Sequence, residues 1–190
     1  MPSDSIRYLI VPGWHNSGED HWQTHWQAVL PNSARVEQAD WASPQRHAWV
    51  AQLDAAIRAS DTPAVLIAHS LGCVAVAHWA ATAPTAIARR VLGALLVAPA
   101  DVERPNCPPA LAGFAPIPQQ PLPFPTHLVG SDNDPAASAA RALELARGWG
   151  SEAGILTGAG HINAKAGFNR WEQGFAYLYR LQSRLALRAA

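Results

Sequence analysis

The chain has 190 residues, of which 49% are hydrophobic, and its 14 Lys and Arg residues balance 14 Asp and Glu residues. Such a length and composition are typical of one globular domain with a substantial core. The formal net charge is zero, and no run of like charges offers an electrostatic footprint for nucleic acid or for an anionic membrane. We therefore expect a single domain over residues 1–190 that binds neither.

The N-terminal residues and the cysteines indicate the cellular compartment of the protein. Residues 1–7 are polar and lead at once into a predicted strand, so we expect no signal peptide. No apolar run approaches the roughly 20 residues that a membrane-spanning helix needs. Cys73 and Cys107 lie in unlike surroundings without metal-ligand spacing, so both are predicted to be free thiols. These features predict a cytoplasmic protein without a membrane span.

Predicted strands and helices alternate along the first third of the chain. Residues 6–11 and 34–38 read as strands, and each is followed by a predicted helix, over 19–30 and 46–60. The second of these helices has an apolar stripe at helical spacing, formed by Trp49, Val50, Leu53, Ala56 and Ile57. Short links between alternating strands and helices are typical of a parallel sheet with right-handed crossovers.

The first predicted helix contains two pairs of residues at a spacing of four. Trp22 and Trp26, with Val29 on the same side, are interpreted as core anchors rather than as ligand contacts. His21 and His25 have the spacing of zinc ligands on a helix, but the Glu that acts as base in such motifs is missing between them. We therefore expect no metal site.

The third strand leads into a sharp turn at Ser70. Residues 64–68 form a continuous apolar run, as expected of a parallel strand that is buried on both faces, and residues 71–82 read as a helix. Ala68 and Gly72, two residues before and after Ser70, are small. This arrangement is typical of a nucleophile elbow, in which a strained turn lifts the hydroxyl clear of the sheet. A strand followed by Ser-x-Gly and a helix also arises by chance, so the motif needs support from the rest of the chain.

The second half of the chain continues the alternation. Residues 91–98, 126–130 and 152–156 are predicted strands, and helices are predicted over 136–149 and 169–187. The last helix has an apolar stripe formed by Trp171, Phe175, Leu178, Leu181 and Leu185. The sequence therefore predicts an α/β protein: a three-layer sandwich with an open, mostly parallel six-stranded sheet and helices on both faces.

A proline-rich segment over residues 99–125 interrupts this pattern. It shows no helical period and has seven prolines from Pro105 to Pro123. A connection of this length without regular structure is uncommon. Two interpretations stay open: a lid or pocket wall, and a proline-stiffened surface crossover.

Three polar loops are predicted to meet at one edge of the sheet. Ser70, an acid within residues 131–135, and His161 each follow a different strand at its carboxyl end, and those ends share one edge in a parallel sheet. Their order is that of the α/β hydrolases. His161 is then the general base for Ser70, and the acid orients its imidazole. Both Asp132 and Asp134 are candidates for the acid.

Four stretches together resemble a known family: V-P-G-W at 11–14, A-H-S-L-G at 68–72, G-S-D-N-D-P at 130–135 and G-A-G-H-I-N at 158–163. The chain resembles the α/β hydrolases, and among them the small serine hydrolases of the retinoblastoma-binding serine hydrolase and YdeN-like family. The resemblance implies a compact fold without a large cap domain. It also implies hydrolysis of small carboxylic esters or related acyl compounds without a cofactor. In that family the catalytic Asp directly precedes the loop proline, which indicates Asp134.

An oxyanion hole is expected beside the nucleophile. The backbone N–H of Leu71 at the start of the helix is one candidate donor, and the loop after the first strand should supply the other. Trp14 is the first choice there and His15 the second. His15 and the ring of Trp41 are predicted pocket residues, with simple packing as the alternative for Trp41. His69 is given a supporting role only, since neighbouring side chains on a strand point in opposite directions.

A different class of function is a non-catalytic protein-interaction module on a hydrolase scaffold. The intact set of Ser70, Asp134 and His161 argues against it. The Leu-x-Cys-x-Glu motif associated with retinoblastoma-protein binding is absent, because residues 71–75 lack the Glu. The same acyl-enzyme route also cleaves amides and thioesters. We therefore expect a small-molecule acyl substrate, while the sequence does not indicate a protein partner.

Overall fold

Six strands form one sheet in the computed structural model, which describes residues 6–189. The strands are β1 (Arg7–Val11), β2 (Ser33–Arg35), β3 (Ala64–His69), β4 (Val91–Val97), β5 (Thr126–Ser131) and β6 (Glu152–Leu156). Their order is β2-β1-β3-β4-β5-β6, and every neighbouring pair is parallel. The predicted six-stranded parallel sheet is confirmed.

Helices cover both faces of this sheet. They are α1 (Trp22–Val29), α2 (Arg46–Arg58), α3 (Leu71–Thr82), the short α4 (Thr85–Ala88), α5 (Ala139–Trp149) and α6 (Phe175–Ala189). Leu9 and Val11 of β1 belong to the core cluster on the side of α2, α3 and α5, whereas Tyr8 and Ile10 belong to the cluster on the side of α1 and α6. Alternate side chains of a strand point to opposite faces, so the central strands are buried on both sides. This is the predicted three-layer sandwich.

Two helices begin later than the sequence predicts. α1 starts at Trp22 instead of residue 19, because the His21 ring accepts a hydrogen bond from the Gln23 backbone N–H and caps the helix. α5 starts at residue 139 instead of 136, where Ser138 caps it. Side-chain capping of the first free N–H groups fixes where a helix starts.

Two further details of the first layer differ from the prediction. β2 spans Ser33–Arg35 instead of residues 34–38, because it is an edge strand that pairs with β1 alone. Trp22 and Trp26 are fully buried as predicted, but Val29 is 68% exposed. Val29 is the last residue of α1, which covers the edge of the sheet where β2 is short.

The last helix also starts late, at Phe175 instead of residue 169. Trp171 has a left-handed backbone conformation with φ of 44°, and a 3₁₀ turn over Glu172–Gly174 leads into α6. Along the helix, Leu178 and Leu181 are buried, and Leu185 is partly buried against the same cluster. The predicted apolar stripe is therefore the core-facing side of α6.

The proline-rich segment between β4 and β5 is tied to the core. It contains a 3₁₀ helix, Pro109–Phe114, that the sequence did not predict. Its buried apolar side chains include Leu111, Phe114, Ile117, Leu122 and Phe124. The Phe114 ring packs edge-on against Trp49 of α2, and the Phe114 carbonyl contacts the His78 ring of α3 at 2.7 Å. The segment is therefore anchored on the layer formed by α2 and α3.

The strand order places a crevice at one edge of the sheet. From β1 the chain moves to β2 on one side, and then returns to β3 on the other side of β1. The loops after β1 and β3 therefore diverge, and ligands of open α/β sheets bind at such a switch point. Within residues 6–189, no helix combines the length and hydropathy needed to cross a lipid bilayer.

Candidate active site

Ser70 occupies a strained turn between β3 and α3. Its φ of 55° and ψ of −123° lie in a region that side-chain-bearing residues rarely adopt. The turn packs tightly on the loop after β1. A Cβ at Gly72 would collide with the carbonyl oxygen of Val11, and a Cβ at Gly13 would lie 2.7 Å from the Ser70 Cβ. Glycine at both positions lets the backbone of β1 approach the serine closely.

Ser70, His161 and Asp134 form a continuous hydrogen-bonded chain. The Ser70 Oγ lies 2.8 Å from His161 Nε2, and His161 Nδ1 lies 2.9 Å from each carboxylate oxygen of Asp134. A carboxylate can only accept, so Nδ1 has the proton and Nε2 is free to accept from the serine hydroxyl. The Asp134 side chain is only 2% exposed, whereas the His161 side chain is 17% exposed. The reactive end of the chain therefore faces the solvent side.

The other polar side chains of the loop after β5 bind the backbone of the loop that holds His161. Three consecutive N–H groups donate to three side chains: Gly158 to Asp132 Oδ1 at 2.8 Å, Ala159 to Ser131 Oγ at 3.1 Å, and Gly160 to Asn133 Oδ1 at 2.7 Å. Asp132 therefore contacts the loop backbone, and Asp134 contacts the imidazole. Of the two candidate acids, Asp134, the preferred one, is the acid that contacts the imidazole.

Two side chains from other elements bind carbonyl groups of the same loop. His69 Nε2 lies 2.9 Å from the His161 carbonyl oxygen, and Trp22 Nε1 donates to the Ile162 carbonyl at 2.9 Å. The rings of His69 and His161 are 4.9 Å apart between centroids. The sequence analysis assigned Trp22 a packing role alone, and it assigned His69 a supporting role because its side chain was expected to point away from that of Ser70. No local sequence pattern indicates either contact, because the two partners of each hydrogen bond are about 90 to 140 residues apart in the sequence.

The imidazoles next to His161 are neutral at neutral pH. Burial lowers the pKa of His21 to about 4, and the nearby charges of Arg35 and His161 act in the same direction. Burial likewise lowers the pKa of His69 well below its ordinary range, and the proximity of His21 and His161 adds to this effect. The His21 and His69 rings are 4.8 Å apart. Neither ring therefore places a positive charge beside the His161 imidazole.

The two predicted oxyanion donors, Trp14 and Leu71, have no backbone hydrogen-bond acceptor in the described residues. By contrast, the His15 N–H donates to the Trp41 carbonyl at 3.0 Å, so this second choice for the oxyanion donor is engaged elsewhere. Leu71 is the first residue of α3, where the positive end of the helix dipole favours negative charge.

The predicted pocket residues lie in the two loops next to this site. Trp14 donates its indole N–H to the Ala42 carbonyl at 2.8 Å, and the exposed His15 ring stacks on it at 4.1 Å. The Trp41 ring packs edge-on against Trp49 at 5.5 Å, which favours the packing alternative for its side chain. A cavity of about 450 Å³ lies between residues 43–47 and residues 109–113. Its lining includes neither His15 nor Trp41, so their substrate contact stays a prediction.

The fold and the site define an α/β hydrolase, and comparison with known proteins narrows this class. The model of the serine hydrolase family matches residues 8–180. A YdeN-like hydrolase from Pectobacterium atrosepticum is 33% identical, with a TM-score of 0.84 over 96% of this chain and 94% of that one. The chain therefore belongs to the serine hydrolase family, and among its members it is YdeN-like, as its motifs had indicated. No curated protein matches the chain in sequence.

More distant structures share the fold. The ydeN gene product of B. subtilis is 18% identical, with a TM-score of 0.73 over 94% of this chain and 98% of that one. A thermophilic esterase from Thermogutta terrifontis is 13% identical, with a TM-score of 0.68 over 95% of this chain and 90% of that one. At these identities the likeness concerns the architecture alone.

Proposed function

We propose that this serine hydrolase cleaves small carboxylic esters through an acyl-enzyme intermediate on Ser70. The observation that supports the proposal most directly is the hydrogen-bonded chain from Ser70 Oγ through His161 to Asp134, with distances of 2.8 Å and 2.9 Å. A serine is a weak nucleophile unless a neighbouring base accepts its proton. Here the base is in contact with the hydroxyl, and a buried carboxylate orients it.

In the first half of the reaction, His161 Nε2 accepts the hydroxyl proton as Ser70 Oγ bonds to the ester carbonyl carbon. Asp134 stabilises the imidazolium that forms. The carbonyl oxygen becomes an oxyanion, which the N–H groups of Trp14 and Leu71 stabilise. When the intermediate collapses, the bond to the leaving-group oxygen breaks, and His161 gives its proton to that oxygen.

The second half returns the enzyme to its starting state. A water molecule gives a proton to His161 and attacks the acyl carbon, and the same two N–H groups stabilise the second oxyanion. The bond to Ser70 Oγ then breaks, the serine regains the proton from His161, and the carboxylic acid leaves. No metal or organic cofactor takes part in this proposed cycle.

The strained backbone at Ser70 favours catalysis over a purely binding function. Such a conformation costs about 1–3 kcal/mol and persists where its surroundings enforce it. A non-catalytic interaction module would have no use for a strained serine whose hydroxyl contacts the Nε2 atom of His161. Amides and thioesters would follow the same steps with a different leaving atom, so the acyl donor has to be determined by assay.

A substrate panel on matched variants tests the proposal. We would assay p-nitrophenyl esters of increasing acyl length, aminoacyl amides and acyl thioesters with the wild type, Ser70→Ala and Ser183→Ala. Ser183 is exposed on α6 and is the control for loss of a hydroxyl. Ester hydrolysis should be the fastest reaction, and Ser70→Ala should lower kcat about 10⁴- to 10⁶-fold. Full ester activity in Ser70→Ala would exclude the proposed route.

A further inference from the structure

His69 directly precedes Ser70, and its ring contacts the residue that contacts Ser70. The Ser70 Oγ lies 2.8 Å from His161 Nε2, and the His161 carbonyl oxygen lies 2.9 Å from His69 Nε2. Residues 69 and 70 are also joined by a peptide bond, so the two hydrogen bonds and the backbone form a closed ring of contacts. The nucleophile and the base are therefore joined twice, once through the hydroxyl and once through the preceding side chain.

The protonation state of His69 follows from its partner. A carbonyl oxygen can only accept a hydrogen bond, so the His69 Nε2 has the proton and donates it. The residue is 5% exposed, so the donor is shielded from water that would compete for the carbonyl. A buried carbonyl group that lacks a hydrogen-bond donor lowers the stability of the folded protein by about 1–3 kcal/mol. The contact is therefore one that the folded protein keeps.

The backbone at His161 needs such an external contact. Gly160 and Ile162, on either side of it, have φ values of 54° and 47°, both in the left-handed region. No helix or strand passes through this stretch, so no regular ladder of hydrogen bonds fixes the orientation of the imidazole. The N–H groups before His161 are bound by the loop after β5, but its own carbonyl is bound by His69.

We propose that His69 is a positioning residue that holds the imidazole of His161 against Ser70 through its hydrogen bond to the His161 carbonyl. The proposal rests on the proposed role of Ser70 as nucleophile. A shift of about 1 Å in a catalytic group can lower the rate by about 100-fold. Loss of the His69 donor should therefore lower kcat more than it changes KM, since no contact with the substrate is removed.

Variants that keep or remove the donor test this role. His69→Gln places an amide N–H near the position of the imidazole Nε2, whereas His69→Leu removes the donor and keeps an apolar side chain. If His69→Leu does not fold, His69→Asn replaces it. The Asn side chain is one bond shorter than that of Gln, so its amide N–H does not reach the His161 carbonyl oxygen. Trp26→Phe is the stability control: it removes a different buried indole donor, which binds the Arg170 carbonyl at 3.0 Å.

Two readouts are measured on each variant. The first is kcat and KM for a p-nitrophenyl ester, after subtraction of the Ser70→Ala rate. The second is the downfield proton resonance of the hydrogen bond between His161 Nδ1 and Asp134 in the NMR spectrum, which does not require turnover. Thermal unfolding of each variant shows how much of any change is a loss of stability.

We expect His69→Leu to lower kcat by about 10- to 100-fold with a small change in KM, and to shift or broaden the downfield resonance. His69→Gln should retain most of both signals, and Trp26→Phe should lower the unfolding temperature alone. An unchanged kcat and resonance in folded His69→Leu would overturn the proposal. If the wild type hydrolysed no ester, the proposed function would fail, and the resonance would still decide whether His69 positions the imidazole.

Discussion

Two loop regions of the molecule are held in place mainly by different kinds of contact. The loop after β6 contains His161. Side chains from other elements form a hydrogen bond with the backbone of each of its five successive residues 158–162. The segment between β4 and β5 is held mainly by buried apolar side chains, such as Phe114 and Leu111. Both regions are long loops without much regular structure.

The difference matches what each region has to do. Hydrogen bonds are directional and weaken steeply when the angle changes, so they can fix the orientation of the His161 ring, which lies 2.8 Å from the Ser70 hydroxyl. Apolar burial is non-directional and scales with area. It holds a segment in place without defining the angle of any one group. Changes in the first region should therefore affect activity, and changes in the second should affect stability.

The largest expected effect comes from the acid that contacts His161 of the first region. Asp134→Asn keeps the shape of the side chain but favours the wrong tautomer of His161, so we expect kcat to fall at least about 100-fold. Asp132→Asn is the matched control, because Asn keeps an oxygen that can accept from Gly158 N–H. Its loss should stay below about tenfold, in line with its lack of contact with the imidazole. If Asp132→Asn proved the more damaging change in steady-state assays, Asp132 would be the orienting acid.

An apolar truncation in the second region should separate stability from activity. Phe114 is fully buried between Trp49 and His78, and Phe114→Ala should lower the free energy of unfolding by about 3–5 kcal/mol. Below its unfolding temperature, the variant should lose far less activity than Asp134→Asn. Val29→Ala, at a position that is 68% exposed, should change stability by less than about 0.5 kcal/mol. Urea unfolding gives both values, and a large loss of kcat in folded Phe114→Ala would contradict the division of roles.

Acid should destabilise the folded protein through His21. Its pKa is about 4 in the folded protein, against 6.5 for an ordinary histidine, so the unfolded chain binds the proton first. Stability from this group is complete above about pH 7 and falls as the pH drops from 6.5 to about 4. At about 1.4 kcal/mol per pKa unit, the loss is about 3 kcal/mol.

A capping variant isolates this contribution. His21→Asn keeps a side-chain oxygen that can cap α1 but does not titrate. Urea unfolding at a series of pH values should show a flatter dependence in His21→Asn than in the wild type between pH 7 and pH 4. Equal slopes in the two proteins would show that His21 does not contribute.

The sequence was sufficient for the sheet and for the order of its loops. Continuous apolar runs identified β3 and β4, and the change of period at Ser70 identified the turn, because these signals are local. The starts of α1 and α6 were not predictable. They depend on the His21 cap and on the left-handed conformation of Trp171, which the apolar periodicity does not encode.

The contacts around His161 were missed for a related reason. The sequence analysis predicted no contact of Ser131 or Asn133 with another loop, yet both bind N–H groups of the loop after β6. His69 was placed away from the nucleophile by the alternation of strand side chains, but His161 comes to it from the neighbouring loop. Long-range hydrogen bonds of this kind have no periodic signal, so only the fold reveals them.

Covalent labelling with a fluorophosphonate probe tests the central claim most directly. The probe reacts with an activated serine, and mass spectrometry of the digested protein identifies the modified peptide. We expect one label on the peptide that contains Ser70 in the wild type, and no label in Ser70→Ala. Labelling that persists in Ser70→Ala, or that maps to another serine, would contradict the assignment of Ser70 as the nucleophile.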